Sequence, residues 1–153
     1  MPPRVRVSIA ATPLQETGRP PLPRRALERL LRRAARAALA AEGVTRGELS
    51  LTLLSDAAIA DLNERYLGRQ GPTDVIAFPL YEGDEAPVGD VYIGYDQALR
   101  QAAALGVPAA EELARLAIHG TLHILGYDHP EGRRERSRMW QVQERILHEV
   151  MEQ

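Results

Sequence analysis

The chain predicts a small α+β fold, a mixed four-stranded sheet packed with about five helices in a single domain spanning residues 1–153. Three observations carry that reading. A length of 153 residues leaves room for one domain around one core. Hydrophobic residues make up 44% of the chain and charged residues 26%, the balance of a globular protein. Segments with the two-residue period of strands also alternate with segments of helical period.

Val5, Val7 and Ile9 alternate with Arg4, Arg6 and Ser8 and predict a first strand. Residues 12–23 contain Pro13, Gly18, Pro20, Pro21 and Pro23 and read as a loop. From Arg24 to Ala41 the pattern is helical. Leu27, Leu30, Leu31, Ala34 and Ala38 form one stripe, and Gly43 follows as a stop. Leu49, Leu51 and Leu53 mark a second strand, after which Asp56 is expected to cap a short helix to about Arg65.

Val75 to Phe78 reads as a short buried strand between Pro72 and Pro79. Residues 80–88 read as a loop. Gly89-Asp90 should launch a fourth strand through Val91, Ile93 and Tyr95, with Asp96 capping a helix to about Leu105. Pro108 suits the start of the next helix, because its missing N–H has no partner there anyway. That helix should run to about Leu125 and stop at Gly126, and a last helix should cover roughly Glu131 to Met151.

Composition removes several chemistries. Cysteine is absent, which excludes disulfides, thiolate zinc sites, iron–sulfur clusters and thiol nucleophiles. Lysine is absent as well, so all 19 basic residues are Arg, and Schiff bases, P-loops and Ser–Lys dyads are excluded. Residues 1–36 hold nine Arg against Glu16 and Glu28, while the remainder holds ten Arg against nineteen acids. A basic end of this kind permits a polyanionic partner. No run of 18 apolar residues is present to span a membrane, and Met1 to Arg6 has no apolar leader, so a cytoplasmic protein is expected.

Chemistry concentrates in residues 119–129, which read His-Gly-Thr-Leu-His-Ile-Leu-Gly-Tyr-Asp-His. His119 and His123 are four apart and share a helix face. Gly126 lets the chain turn out of the helix, and His129 can then return toward the same point. Three imidazoles converging in this way suit zinc or a similar first-row ion, and three protein ligands leave one position open, as catalytic sites do. The spacing matches that of metzincin proteases, but Gly120 stands where their catalytic Glu belongs. Without that carboxylate the balance tilts from peptides toward phosphoryl or other hydrolytic chemistry.

This run resembles the signature of the YbeY family of rRNA maturation factors. Leu62-Asn63 through Gly71-Pro72-Thr73-Asp74-Val75-Ile76-Ala77-Phe78-Pro79 is similar to the family's second motif, and Gly89-Asp90-Val91-Tyr92-Ile93 to its third. Order and spacing agree over about residues 48–150. The resemblance implies a metal-dependent, single-strand-specific endoribonuclease acting in 16S rRNA 3′-end maturation and ribosome quality control. It implies one Zn2+ per chain, or another first-row divalent ion, on His119, His123 and His129. It also implies single-stranded RNA or rRNA and the small ribosomal subunit, or its proteins, as partners.

Two positions depart from the family pattern. Many members carry an Arg, implicated in RNA cleavage, just before the glycine that matches Gly68. Leu67 stands there in this chain, which makes Arg69, or Arg65 on the other side, the candidate for the phosphate-contacting role. Many members also have Ser where this chain has Ala77.

Several other residues are candidates. Asp128 beside His129 reads as a catalytic proton shuttle, as a support for a ligand imidazole, or as a turn residue. Thr73-Asp74 should lie beside the site or serve the turn. Arg25, Arg29, Arg32 and Arg36 form a basic helix face that either tracks an RNA backbone or is simply solvated, and Arg29, Arg32 and Arg36 are the RNA-binding candidates. Arg133, Arg134, Arg136 and Arg138 follow His129 closely. Tyr66, Tyr81, Tyr92 and Tyr95 either stack on bases or pack internally. Met139 and Trp140 should pack beneath the metal-bearing helix, and His148 should be structural or exposed. Two alternatives remain beside the nuclease: a degenerate metzincin-like zinc peptidase, and a non-catalytic ribosome-assembly factor.

Overall fold

A computed structural model describes residues 5–10, 22–128 and 137–153. Among these residues four strands and five helices follow one another. They are β1 (Val5–Ala10), α1 (Arg24–Ala41), β2 (Gly47–Leu54), α2 (Asp56–Leu67) and β3 (Val75–Pro79), then β4 (Val88–Gly94), α3 (Tyr95–Leu105), α4 (Ala109–Ile124) and α5 (Arg138–Met151). The α+β class, the four strands and the five helices are those expected from periodicity.

The sheet order is β1-β2-β4-β3. β1 pairs parallel with β2, and β2 parallel with β4, so both connections carry a crossover helix. β3 forms an antiparallel edge on β4, with Val75 opposite Ile93 and Pro79 opposite Gly89. Pro79 is tolerated at this edge because its lack of an N–H costs no central ladder bond.

Leu49, Leu51 and Leu53 of β2 alternate inward with Val91 and Ile93 of β4 and meet Leu27, Leu30, Leu31 and Ala34 of α1. Val75 and Ala77 of β3 pack against the same core, so Ile76 and Phe78, one residue out of phase, face the other side of the sheet. On that side Phe78 lies edge-on to both Tyr66 of α2 and Tyr92 of β4.

α4 is the centre of the fold. It packs on α1, α3, α5, β3 and β4, and eleven of its sixteen residues are buried. Leu113, Ala114, Leu116, Ala117, Ile118, Leu122 and Ile124 supply most of its buried surface, with Glu112, His119 and Thr121 as buried polar residues among them. Gly120 faces the sheet. A Cβ there would overlap Val91 Cγ1 and come within 3.2 Å of Val75 Cγ2. Glycine at this position therefore sets how closely α4 approaches β4, and any side chain at 120 would push helix and sheet apart.

Tyr95, expected in the fourth strand, is instead the first residue of α3, and three cap or launch positions also differ from expectation, each for a local reason. Ser55, not Asp56, caps α2, its hydroxyl accepting from the Ala58 N–H. Asp56 instead pairs with Arg100, both guanidinium contacts being 2.9 Å. Asp96 does not cap α3, which starts after Gly94. Its Oδ2 accepts from the Asp56 N–H at 3.1 Å and ties α3 to α2. Gly89 and Asp90 lie inside β4 rather than before it. Gly89 sits there because Ile124 of α4 packs directly on its Cα. Residues 12–21 of the expected loop at 12–23, and the start of the last helix at Glu131, lie outside the described residues.

Candidate metal centre

His119 and His123 project from one side of α4 with ring centroids 4.6 Å apart. Their Nε2 atoms face each other at 3.0 Å. Each Nδ1 meets an oxygen acceptor, at 2.6 Å to Gln143 Oε1 for His119 and at 2.9 Å to the Tyr127 carbonyl for His123. Each Nδ1 therefore carries a proton toward its acceptor, which turns each Nε2 toward the other ring. Two imidazole Nε2 atoms at this separation can share one cation between them. This donor set fits a first-row divalent ion such as zinc.

The two rings are held by different means. Gly126 adopts φ 97°, and the helix ends in a Schellman turn. The Tyr127 N–H donates to Leu122 O and the Gly126 N–H to His123 O, both at 3.0 Å. That turn leaves the Tyr127 carbonyl pointing back at His123 Nδ1. Tyr81 reaches across from the β3–β4 connection, its hydroxyl donating to Ile124 O at 2.7 Å and satisfying a carbonyl of the last turn. His119 lies deeper, 5% exposed, and its partner Gln143 on α5 is 1% exposed.

His119 also lines a cleft of about 340 Å³ together with Asp74, Arg115, Leu116, Trp140 and Gln143. Asp74 of the Thr73-Asp74 pair and Trp140 thus border this cleft, while Met139 is buried in the core. Arg115 is bound by Glu112 and Glu144. Burial opposes its charge, but the Glu144 and Glu112 hydrogen bonds outweigh this and raise its pKa.

The third predicted ligand, His129, lies outside the described residues, as do Arg133, Arg134 and Arg136. Among the described residues no group of three His, Cys, Asp or Glu side chains converges. Asp128 is exposed just beyond the Schellman turn. Arg69 is exposed after the C-cap of α2. Its N–H donates to Asn63 O at 3.3 Å, and the buried Asn63 amide donates to Gly71 O at 3.0 Å, which shapes the loop carrying it.

On α1, Arg25, Arg29 and Arg36 are exposed, whereas Arg32 is half-buried and its Nε donates to Val7 O at 3.1 Å. Arg138 is exposed at the start of α5. His148 is exposed and lies 2.9 Å from Glu152. Tyr66 is the most exposed of the aromatic row, at 65%. No helix among the described residues is long and apolar enough to cross a membrane.

Sequence reasoning passed over Gln143. Its signal was a lone amide on the apolar stripe of α5, formed by Met139, Val142, Ile146, Leu147 and Val150. A polar residue kept on a buried face needs a partner, and that partner is His119.

The chain is similar to known proteins over most of its length. The family model described as "Endoribonuclease YbeY" matches residues 15–151. The endoribonuclease YbeY of Moorella thermoacetica is 48% identical over 111 residues, 65% of this chain and 71% of that protein. That of Pelotomaculum thermopropionicum is 44% identical over 130 residues, 80% of this chain and 85% of that protein. The solution structure of TM1509 from Thermotoga maritima superposes with a TM-score of 0.64 at 26% identity, covering 97% of this chain and 89% of that one. With the model spanning nearly the whole chain, and relatives this similar over most of their length, the chain belongs to the endoribonuclease YbeY family.

Proposed function

We propose that residues 1–153 act as one metallohydrolase unit that cleaves single-stranded RNA, with 16S rRNA 3′-end maturation and ribosome quality control in the cytoplasm as its setting. The observation that carries this reading is the pair of Nε2 atoms facing each other at 3.0 Å, each ring oriented through its own Nδ1. His119 and His123, with His129 as third donor, would hold one Zn2+ or a similar divalent ion. When bound, such an ion supplies Lewis acidity and positive charge for the charge that develops on a phosphodiester.

The chain's own residues do the rest. Gln143 and the Tyr127 carbonyl keep both imidazoles in one tautomer. Asp128, exposed one residue past Tyr127, is the group proposed to take or return a proton. Arg69 supplies a guanidinium to a phosphate from the loop shaped by Asn63. Arg29, Arg32 and Arg36 contact RNA farther along the backbone, and the tie from Arg32 to Val7 O makes Arg32 the weakest of the three. The proposed partners are the RNA strand and the small ribosomal subunit or its proteins.

A peptidase draws less support, because the carboxylate it needs has no room at residue 120 against Val91 and Val75. The test incubates wild type, His119→Ala and His123→Ala with single-stranded and duplex RNA, with and without chelator. Cleavage of single strands by wild type alone, abolished by chelation, is expected. Cleavage that survives both substitutions and chelation overturns the reading, and turnover of unstructured peptides but not RNA favours the peptidase.

A further inference from the structure

The strongest feature outside the histidines themselves is a directed chain of hydrogen bonds across the α4–α5 seam. Arg115 donates to Glu144 through Nε at 3.0 Å and Nη2 at 3.2 Å. Glu144 Oε2 in turn accepts from Gln143 Nε2 at 3.0 Å. Gln143 Oε1 then faces His119 Nδ1 at 2.6 Å. A second branch fixes Arg115 from the other side. Glu112, 3% exposed, accepts from Arg115 and, at 2.8 Å, from Gln101 of α3.

The chain has a sense. Glu144 beside a guanidinium is a carboxylate and can only accept. The amide end facing it must therefore be the NH2 of Gln143, because the opposite flip would set two acceptors 3.0 Å apart. The remaining end is then the carbonyl oxygen, which also can only accept, so His119 must donate from Nδ1 and present its lone pair at Nε2. A glutamine amide left to itself has no such preference.

We propose that Gln143, oriented by Glu144 and Arg115, is the positioning residue that selects the His119 tautomer able to bind a cation and holds the ring on the cation site. The proposal rests on the metal reading above. It assigns part of the site's metal affinity to side chains that touch neither metal nor RNA.

The test measures Zn2+ affinity by competition with a chromophoric chelator, and the His119 tautomer by two-bond 15N–1H correlation in metal-free protein. Gln143→Met keeps shape and burial but removes the acceptor. It is expected to weaken zinc binding by roughly 10–100-fold, the range for such outer partners. Glu144→Ala, at a partly exposed position, frees the amide to flip and should weaken binding in the same direction by a smaller factor. In both variants the His119 signal should move from the Nδ1–H pattern toward Nε2–H.

The double swap Gln143→Glu with Glu144→Gln preserves net charge and keeps an acceptor on His119 Nδ1, with the 143–144 bond reversed, and should restore most of the affinity. If Gln143→Met does not fold, Glu144→Ala and the swap carry the test. Loss of zinc in His119→Ala with unchanged affinity and tautomer in Gln143→Met and Glu144→Ala overturns this proposal alone. Wild-type affinity in His119→Ala overturns the metal reading with it.

Discussion

The seam between α4 and α5 and the C-terminal turn of α4 each orient one histidine, and they do so by opposite means. His123 is oriented locally, by a carbonyl four residues on that its own helix cap delivers. His119 is oriented from 24 residues away, by an amide on another helix that is itself held by a second side chain. The first arrangement exists as soon as α4 ends where it does. The second exists only when α5 is docked, so half the site depends on helix formation and half on tertiary packing.

The largest effect that bears on this comparison comes from the ligands. His119→Ala and His123→Ala should each weaken zinc binding by more than the roughly 10–100-fold typical of outer-partner changes. Isothermal titration calorimetry on the two variants checks this, and a variant that binds as wild type removes that residue from the site.

Gly120→Ala comes next and should injure both regions at once. Inserting a methyl between α4 and Val91 overpacks the helix–sheet contact and should cost about 1–3 kcal/mol, partly offset by the better helix propensity of Ala. Urea denaturation should show a lower midpoint with an unchanged slope, and an unchanged midpoint would mean that the contact relaxes freely.

Gly126→Ala breaks the symmetry of the comparison. A left-handed backbone costs an L-residue roughly 1–2 kcal/mol, and the strain falls on the turn that carries the Tyr127 carbonyl. In metal-free 15N spectra His123 should lose its Nδ1–H pattern while His119 keeps its own. Equal disturbance of both rings would show that the two anchors are coupled.

Two smaller effects lie away from the histidines. Arg36→Gln should weaken RNA binding evenly across sequences and reduce the salt slope by about 1, and an unchanged slope leaves α1 a solvated face. Tyr92, on the outer face of the sheet, has its phenol pKa raised above 10.0 by burial first, then by Asp90 and Tyr66. The folded state thus holds that proton more tightly, and its contribution to stability is present below about pH 10 and lost as pH rises through the folded value. Tyr92→Phe should lose less stability than wild type across that alkaline range in thermal melts, and identical pH profiles would contradict the shift.

Much of this was legible from residue patterns. The periodicities of Leu49-Leu51-Leu53 and of the α1 leucines place β2 and α1 because burial has the same period as the backbone. The His119–His123 pair and the Gly126 stop are local features, so the His123 half of the site could be read directly. Caps were less legible. Asp56 and Asp96 are as good cappers as Ser55, and only tertiary contacts diverted them to Arg100 and to the Asp56 N–H. Gln143 was invisible for a related reason, since an amide gains meaning only from what α4 brings to it. Gly120 was read as a missing Glu, and packing supplies the cause: the sheet occupies the space a side chain would need.

The most direct test of the account counts zinc per chain by elemental mass spectrometry on purified wild type and on His119→Ala, His123→Ala and His129→Ala. One ion per chain in the wild type, lost in every variant, is the expected result. Stoichiometry that stays the same when any of these imidazoles is removed would contradict it.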